Sequence, residues 1–118
     1  MSVHKQEYTN YGFKCDEGIV DLINTMNSVG IHTFESCQSC GWGLGGIAVW
    51  FNHDGGPEAL FSVCQKLATA FAEEDTFFHL EIEWNSGKMV PDEPHAVFQC
   101  ALAHVNDVSE IIEKRLST

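Results

Sequence analysis

Arginine is almost missing from this sequence of 118 residues: Arg115 is the only one, and five lysines complete the basic set. Seventeen Asp and Glu against six Lys and Arg leave a formal net charge of −11, with a sequence pI of about 4.7. Phosphate backbones are gripped by clustered Lys and Arg, so direct nucleic-acid binding is excluded from the expectation. Docking on an anionic membrane surface is excluded on the same ground. No apolar run approaches the roughly 20 residues that span a bilayer. The opening MSVHKQEYTNYG has no apolar signal-peptide stretch, so a cytoplasmic location is expected. There is no repeat, low-complexity tract or linker, and one domain over residues 1–118 is expected. A chain of this length buries about two-thirds of its unfolded surface, so no covalent staple is obligatory.

Five cysteines, at positions 15, 37, 40, 64 and 100, make an odd count that argues against a disulfide framework. Cys64 and Cys100 fall at core-like positions and are expected to be small buried apolar residues.

Asp16 can cap a first helix in which Ile19, Leu22, Ile23, Met26 and Val29 recur at helical spacing before Gly30. Ile31 to Ser36 is β-prone, and Ile47 to Phe51 is nearly all apolar, as in a strand within a sheet. Pro57 suits the first turn of a second helix striped by Leu60, Cys64, Leu67, Ala68 and Phe71. From Phe77 the period becomes two, with Phe78, Leu80, Ile82 and Trp84 on one face and His79, Glu81, Glu83 and Asn85 on the other. A fourth strand is expected over His95 to His104. A third helix follows, capped by Asn106 and carrying Val108, Ile111, Ile112 and Leu116. The order αββαββα implies an α+β fold: a four-stranded, mainly antiparallel sheet with three helices, in two layers.

Ser36-Cys37-Gln38-Ser39-Cys40-Gly41-Trp42-Gly43-Leu44-Gly45-Gly46 joins the first two of these strands, and four of the ten glycines of the chain fall within six residues of it. A tight hairpin needs one or two glycines, so the loop is expected to take a specific path. It can cradle a ligand with backbone N–H groups, or it can be a wide hairpin loop pinned by Trp42. Trp42 is the tryptophan best placed for stacking on a flat ligand. The C-x₂-C spacing of Cys37 and Cys40 is half of a zinc motif. Completing it would require His32, His53 or Cys64 from scattered positions. A thioredoxin-like dithiol belongs at the start of a helix, whereas here glycine and then strand follow. A nucleophilic Cys37 with His32 or His53 as base is chemically conceivable, but no spacing brings them together. A binding protein is expected rather than an enzyme. His53 beside Asp54 is the histidine of most interest, since a carboxylate can orient an imidazole; a capping or turn role beside Gly55-Gly56 is nonetheless the preferred expectation.

Asp16-Glu17-Gly18-Ile19-Val20, Leu22-Ile23-Asn24, Thr33, Ser36-Cys37 and Ile47 to Phe51 follow one another in an order that resembles the opening of the wybutosine-synthesis methyltransferase family. The resemblance covers residues 16–51. Similar Ser-Cys-x-Gly loops occur in small bacterial and phage proteins. The resemblance implies a related fold and makes Ser36 and Cys37 pocket residues. Gln38-Ser39 stand where the family has Gly-Arg, and the first 114 residues hold no arginine. Methyl transfer and tRNA binding are therefore not implied.

The leading expectation is a small ligand-binding domain. Its pocket uses Ser36, Cys37, Gly41, Trp42, Gly43 and Gly45, with His53 and Asp54 at the rim, and it suits a neutral or zwitterionic small molecule better than a strongly anionic one. The rival is an acidic inhibitor or immunity-type protein that binds a basic partner through Glu73, Glu74, Asp75, Glu81, Glu83, Asp92 and Glu93. The third possibility is a zinc site through Cys37 and Cys40.

Overall fold

The computed structural model describes residues 5–38, 46–84 and 94–116. The chain opens with a short hairpin, β1 (Gln6–Tyr8) and β2 (Lys14–Asp16), then a turn of 3-10 helix at Glu17–Ile19 and α1 (Val20–Ser28). β3 (Ile31–Gln38) and β4 (Gly46–His53) follow, then α2 (Pro57–Glu73), β5 (His79–Trp84) and β6 (Pro94–Ala101). A second 3-10 turn at Leu102–His104 leads into α3 (Val105–Leu116). The fold is α+β, with three helices, a four-stranded antiparallel sheet in the order β3-β4-β6-β5, and a separate two-stranded sheet.

The main elements come in the expected order, but the β1–β2 hairpin was not expected. Its strands are three residues each and exposed apart from Cys15 and Asp16, too short for a period of two to register. Asp16 is not a side-chain cap: it is extended and makes no cap bond. Its carboxylate instead accepts the Gln38 backbone N–H at 2.9 Å and the side-chain amide of Gln6. Asn106 likewise lies inside α3 rather than at its start, because the fourth strand ends at Ala101 and a 3-10 turn takes up the next three residues.

The core is built on β4. Ile47, Val49 and Phe51 are fully buried and pair with Cys100, Phe98 and Ala96 of β6. These residues form one cluster with Leu22, Ile23 and Met26 of α1, Leu60, Leu67 and Phe71 of α2, and Val108 and Ile112 of α3. Phe71 stacks at 5.2 Å from both Phe98 and Phe78. Each such side chain contributes on the order of 1.5–3 kcal/mol by leaving water. Cys64 and Cys100 are buried here, as expected. Thr25 Oγ1 and Ser109 Oγ, 2.8 Å apart, tie α1 to α3.

Among the described residues α2 packs over β4 and β6, α1 against β3, and α3 against α1 and α2; β5 is the edge strand beyond β6. Ile82 shares the alternation of Leu80 yet is 44% exposed. On the far face of the sheet, His95 Nε2 meets Glu83 at 3.1 Å and the ring of Phe34 stands edge-on to His95.

Candidate functional site

The chain turns sharply where α1 meets β3 and again where β4 meets α2, and the two turns lie side by side. Gly30 closes α1 at φ +90°, its N–H donating to Asn27 O. An L side chain is strained at that angle, so the position suits glycine. Across the hairpin, Ile31 pairs with His53 and His32 with Asn52. After His53 the backbone reverses: the Gly56 N–H donates to His53 O at 3.0 Å, and Leu60 N–H to Gly56 O begins α2. Pro57 occupies the start of the helix, and no side chain caps it.

These turns enclose a cavity of about 340 Å³ lined by His32, Asn52, His53, Asp54, Pro57 and Leu60, among others. Leu60 closes it with buried apolar surface, while imidazole, amide and carboxylate groups supply the rest of the wall. The Gly55 N–H donates to His53 Nδ1 at 2.9 Å, so in the neutral ring the proton sits on Nε2. That nitrogen lies over Gly30, where an added Cβ would approach it to 3.4 Å. His53 is thus a turn-closing residue whose ring links the two turns. That is the turn role expected for it, and Asp54 does not orient the ring. The Asp54 carboxylate, 83% exposed at the mouth, faces His32 Nδ1 at 3.8 Å instead.

Ser36 and Cys37 stand at the other end of the hairpin. Cys37 pairs with Ala48 and His53 with Ile31, and the five steps along β4 from Ala48 to His53 span about 16 Å at 3.3 Å per residue. The expected pocket with His53 and Asp54 at the rim of the glycine loop is therefore divided in two. Cys40, Gly41, Trp42, Gly43 and Gly45 lie outside the described residues. Ser36 borders a smaller cavity of about 220 Å³ between the β1–β2 hairpin and β3, with Cys15, Asp16, Thr33 and Glu35. Here the Gly18 N–H donates to Gln38 Oε1 at 3.2 Å and Asp16 takes the Gln38 N–H. A pair of side-chain-to-backbone bonds thus anchors the hairpin beside the end of β3.

Cys37 is disulfide-bonded, which the odd cysteine count did not suggest, and a sulfur so bonded is not a thiolate ligand. Among the described residues no group of three or more His, Cys, Asp or Glu side chains could hold a metal ion. Burial pushes the thiols of Cys15 and Cys64 up to about 11 and that of Cys100 to about 12, with the Asp16 and Glu7 carboxylates adding to the effect at Cys15. Such thiols are poor nucleophiles near neutral pH.

Of the carboxylates named for a basic partner, Glu73 and Glu74 bind Arg115, and Lys114 lies 3.6 Å from Glu74. The Glu73 hydrogen bond is the main cause that raises the Arg115 pKa; desolvation opposes it, and the Glu74 hydrogen bond adds to the rise. Glu81 and Glu83 meet His79 and His95, each at 3.1 Å. Asp92 and Glu93 lie outside the described residues. Among the described residues no helix is long and apolar enough to cross a membrane.

Sequence reasoning missed Asn52, Pro57 and Leu60 as pocket residues and weighed His32 only for zinc or base chemistry. One signal could have found His32 and Asn52. If the hairpin pairs antiparallel, residues near the start of one strand oppose residues near the end of the next. No family model, curated protein or solved structure matches the chain.

Proposed function

We propose that this chain is a small-molecule-binding domain whose site is the cavity between His32 and Asp54. The observation that carries the reading is the cavity itself. Its size of about 340 Å³ falls in the range of roughly 300–1,000 Å³ usual for ligand sites. Its wall combines one apolar floor at Leu60 with polar groups that converge on it. The Asn52 amide offers both donors and an acceptor, His32 either, and Asp54 an anionic acceptor. This set suits a neutral or zwitterionic polar molecule of amino-acid size, with its cationic or donor end at Asp54. A strongly anionic ligand would meet Asp54 and a net charge of −11.

Binding to a basic protein is the weaker reading. Four of the seven carboxylates assigned to it, Glu73, Glu74, Glu81 and Glu83, already have intramolecular partners.

The test is a titration of ¹⁵N-labelled protein with a panel of amino acids, amides and small polyols, followed by amide chemical shifts. Shifts centred on Asn52, Asp54, Gly55 and Gly56, weakened by Asp54→Ala, are expected. Shifts that centre instead on residues 36–46, or no shift with any compound, would overturn the assignment to this cavity.

A further inference from the structure

The two edges of the main sheet are finished in opposite ways. β3 carries a register break between Thr33 and Glu35, and the β1–β2 hairpin lies against it with Asp16 taking the Gln38 N–H. A bulge and a covering segment are the usual means of keeping an edge from pairing with another chain. β5 has neither. It is six residues long, HLEIEW, with no proline, lysine or register break, and among the described residues it pairs only with β6. Its alternate N–H and C=O groups therefore point outward, and Ile82 stands exposed beside them.

We propose that β5 pairs antiparallel with β5 of a second copy of this chain, joining two four-stranded sheets across a two-fold axis at Leu80. The charges along the strand select this register. An axis at Glu81 would oppose Glu81 to itself and set His79 against Glu83, a carboxylate already held by His95 at 3.1 Å, and an axis at Ile82 would oppose Glu81 to Glu83 twice. An axis at Leu80 sets His79 opposite Glu81 of the other copy, and the symmetry makes two such pairs. The imidazole already meets a glutamate at 3.1 Å within its own strand, so this chemistry suits both geometries. On the opposite face the same register places Ile82 across from Phe78. Phe78 borders a shallow hollow of about 240 Å³ with Ala72, Thr76 and Phe77, the last 79% exposed. The hollow and the exposed isoleucine cover each other. One strand pairing buries less than the roughly 1,200 Å² of a stable standard interface, so the dimer is a concentration-dependent one.

The test is sedimentation of the full chain from about 10 µM to about 1 mM, the range in which weak interfaces populate. A weight-average mass rising toward twice 13.1 kDa is expected. Ile82→Lys should weaken association by at least about tenfold, by leaving a charge against Phe78. His79→Glu should do the same by opposing two carboxylates, and His79→Glu with Glu81→Lys should restore it to within about threefold. His79 is half exposed, so its variant keeps the test decisive if circular dichroism shows Ile82→Lys to be misfolded. A monomer throughout the range overturns the proposal. So does a dimer that His79→Glu leaves unchanged.

Discussion

The two ends of the β3–β4 hairpin are held by different means. At the Gln38 end, side chains reach backbone: Asp16 takes the Gln38 N–H, and Gln38 Oε1 takes the Gly18 N–H. At the His53 end the backbone turns on itself, through Gly30, Gly55 and Gly56, with the His53 imidazole accepting from a turn amide. The first arrangement fixes a neighbouring hairpin against the sheet and leaves a smaller cavity. The second brings two chain reversals together and leaves the larger one. Polar side chains spent on local anchoring cannot also face a ligand. His32, Asn52 and Asp54 are spared that work because glycines make the turns.

The comparison breaks most completely if the ends are not separable at all. Phe51 is fully buried two residues before His53 and packs into the common core. Phe51→Ala should cost about 3–5 kcal/mol, read by urea denaturation. The amides of both ends should then exchange faster together. If only the His53 end responds, the two ends do not share one core.

Gly30→Ala tests the backbone-held end alone. A φ of +90° and the His53 ring at 3.4 Å from the new Cβ should cost about 1–3 kcal/mol. Amide exchange should quicken at Gly55 and Gly56 but not at Gln38. Equal stability to the parent would mean that the turn relaxes without the His53 link.

Asp16→Ala tests the side-chain-held end. Losing an acceptor for the Gln38 N–H should cost about 1–2 kcal/mol and speed exchange at Gln38 and in β1–β2, while the exchange response at Gly55 and Gly56 stays that of the parent. A change in that response would show that the ends communicate.

The smallest effect near neutral pH comes from the buried thiols, one beside the hairpin and two in the core. A thiol whose folded pKa is raised keeps its proton after the unfolded chain has lost it. The stability it contributes is full below pH 9.0 and falls as pH rises toward about 11 for Cys15 and Cys64 and about 12 for Cys100. Thermal melts should show a decline above pH 9.0 that Cys64→Ala reduces. Labelling of Cys15, Cys64 and Cys100 at about pH 8 should be slow without denaturant.

Much of the fold could be read from the residues, for a local reason. Leu60, Leu67 and Phe71 announce α2 because helical period is a property of a dozen adjacent positions. The same holds for Phe78, just before β5, and Leu80 within it. Ile82 carries an identical signal and yet is exposed, since being an edge strand is not written in the strand itself. Asp16 has the composition of a helix cap, but a carboxylate goes to whichever donors tertiary packing supplies, here the N–H of a residue 22 positions later. The candidate site divides along the same line. His53 and Asp54 were identifiable as residues of interest, but the strand pairing places His53 at the other end of the hairpin from Ser36 and Cys37. Adjacency on either side of a glycine loop does not measure distance along a strand.

The sequence by itself determined the charge of −11, the three helices, the four main strands and their mainly antiparallel pairing. All of these follow from composition, spacing and short connections. Only the tertiary structure decided that β4 pairs with β6 rather than β5, that Asp54 faces His32, and that the cavity beside His53 lies at the far end of the hairpin from Ser36. Strand pairing sets those distances. Extended chain advances about 3.3 Å per residue, so residues at opposite ends of one strand cannot share a pocket, while His32 and Asn52, twenty positions apart, stand side by side.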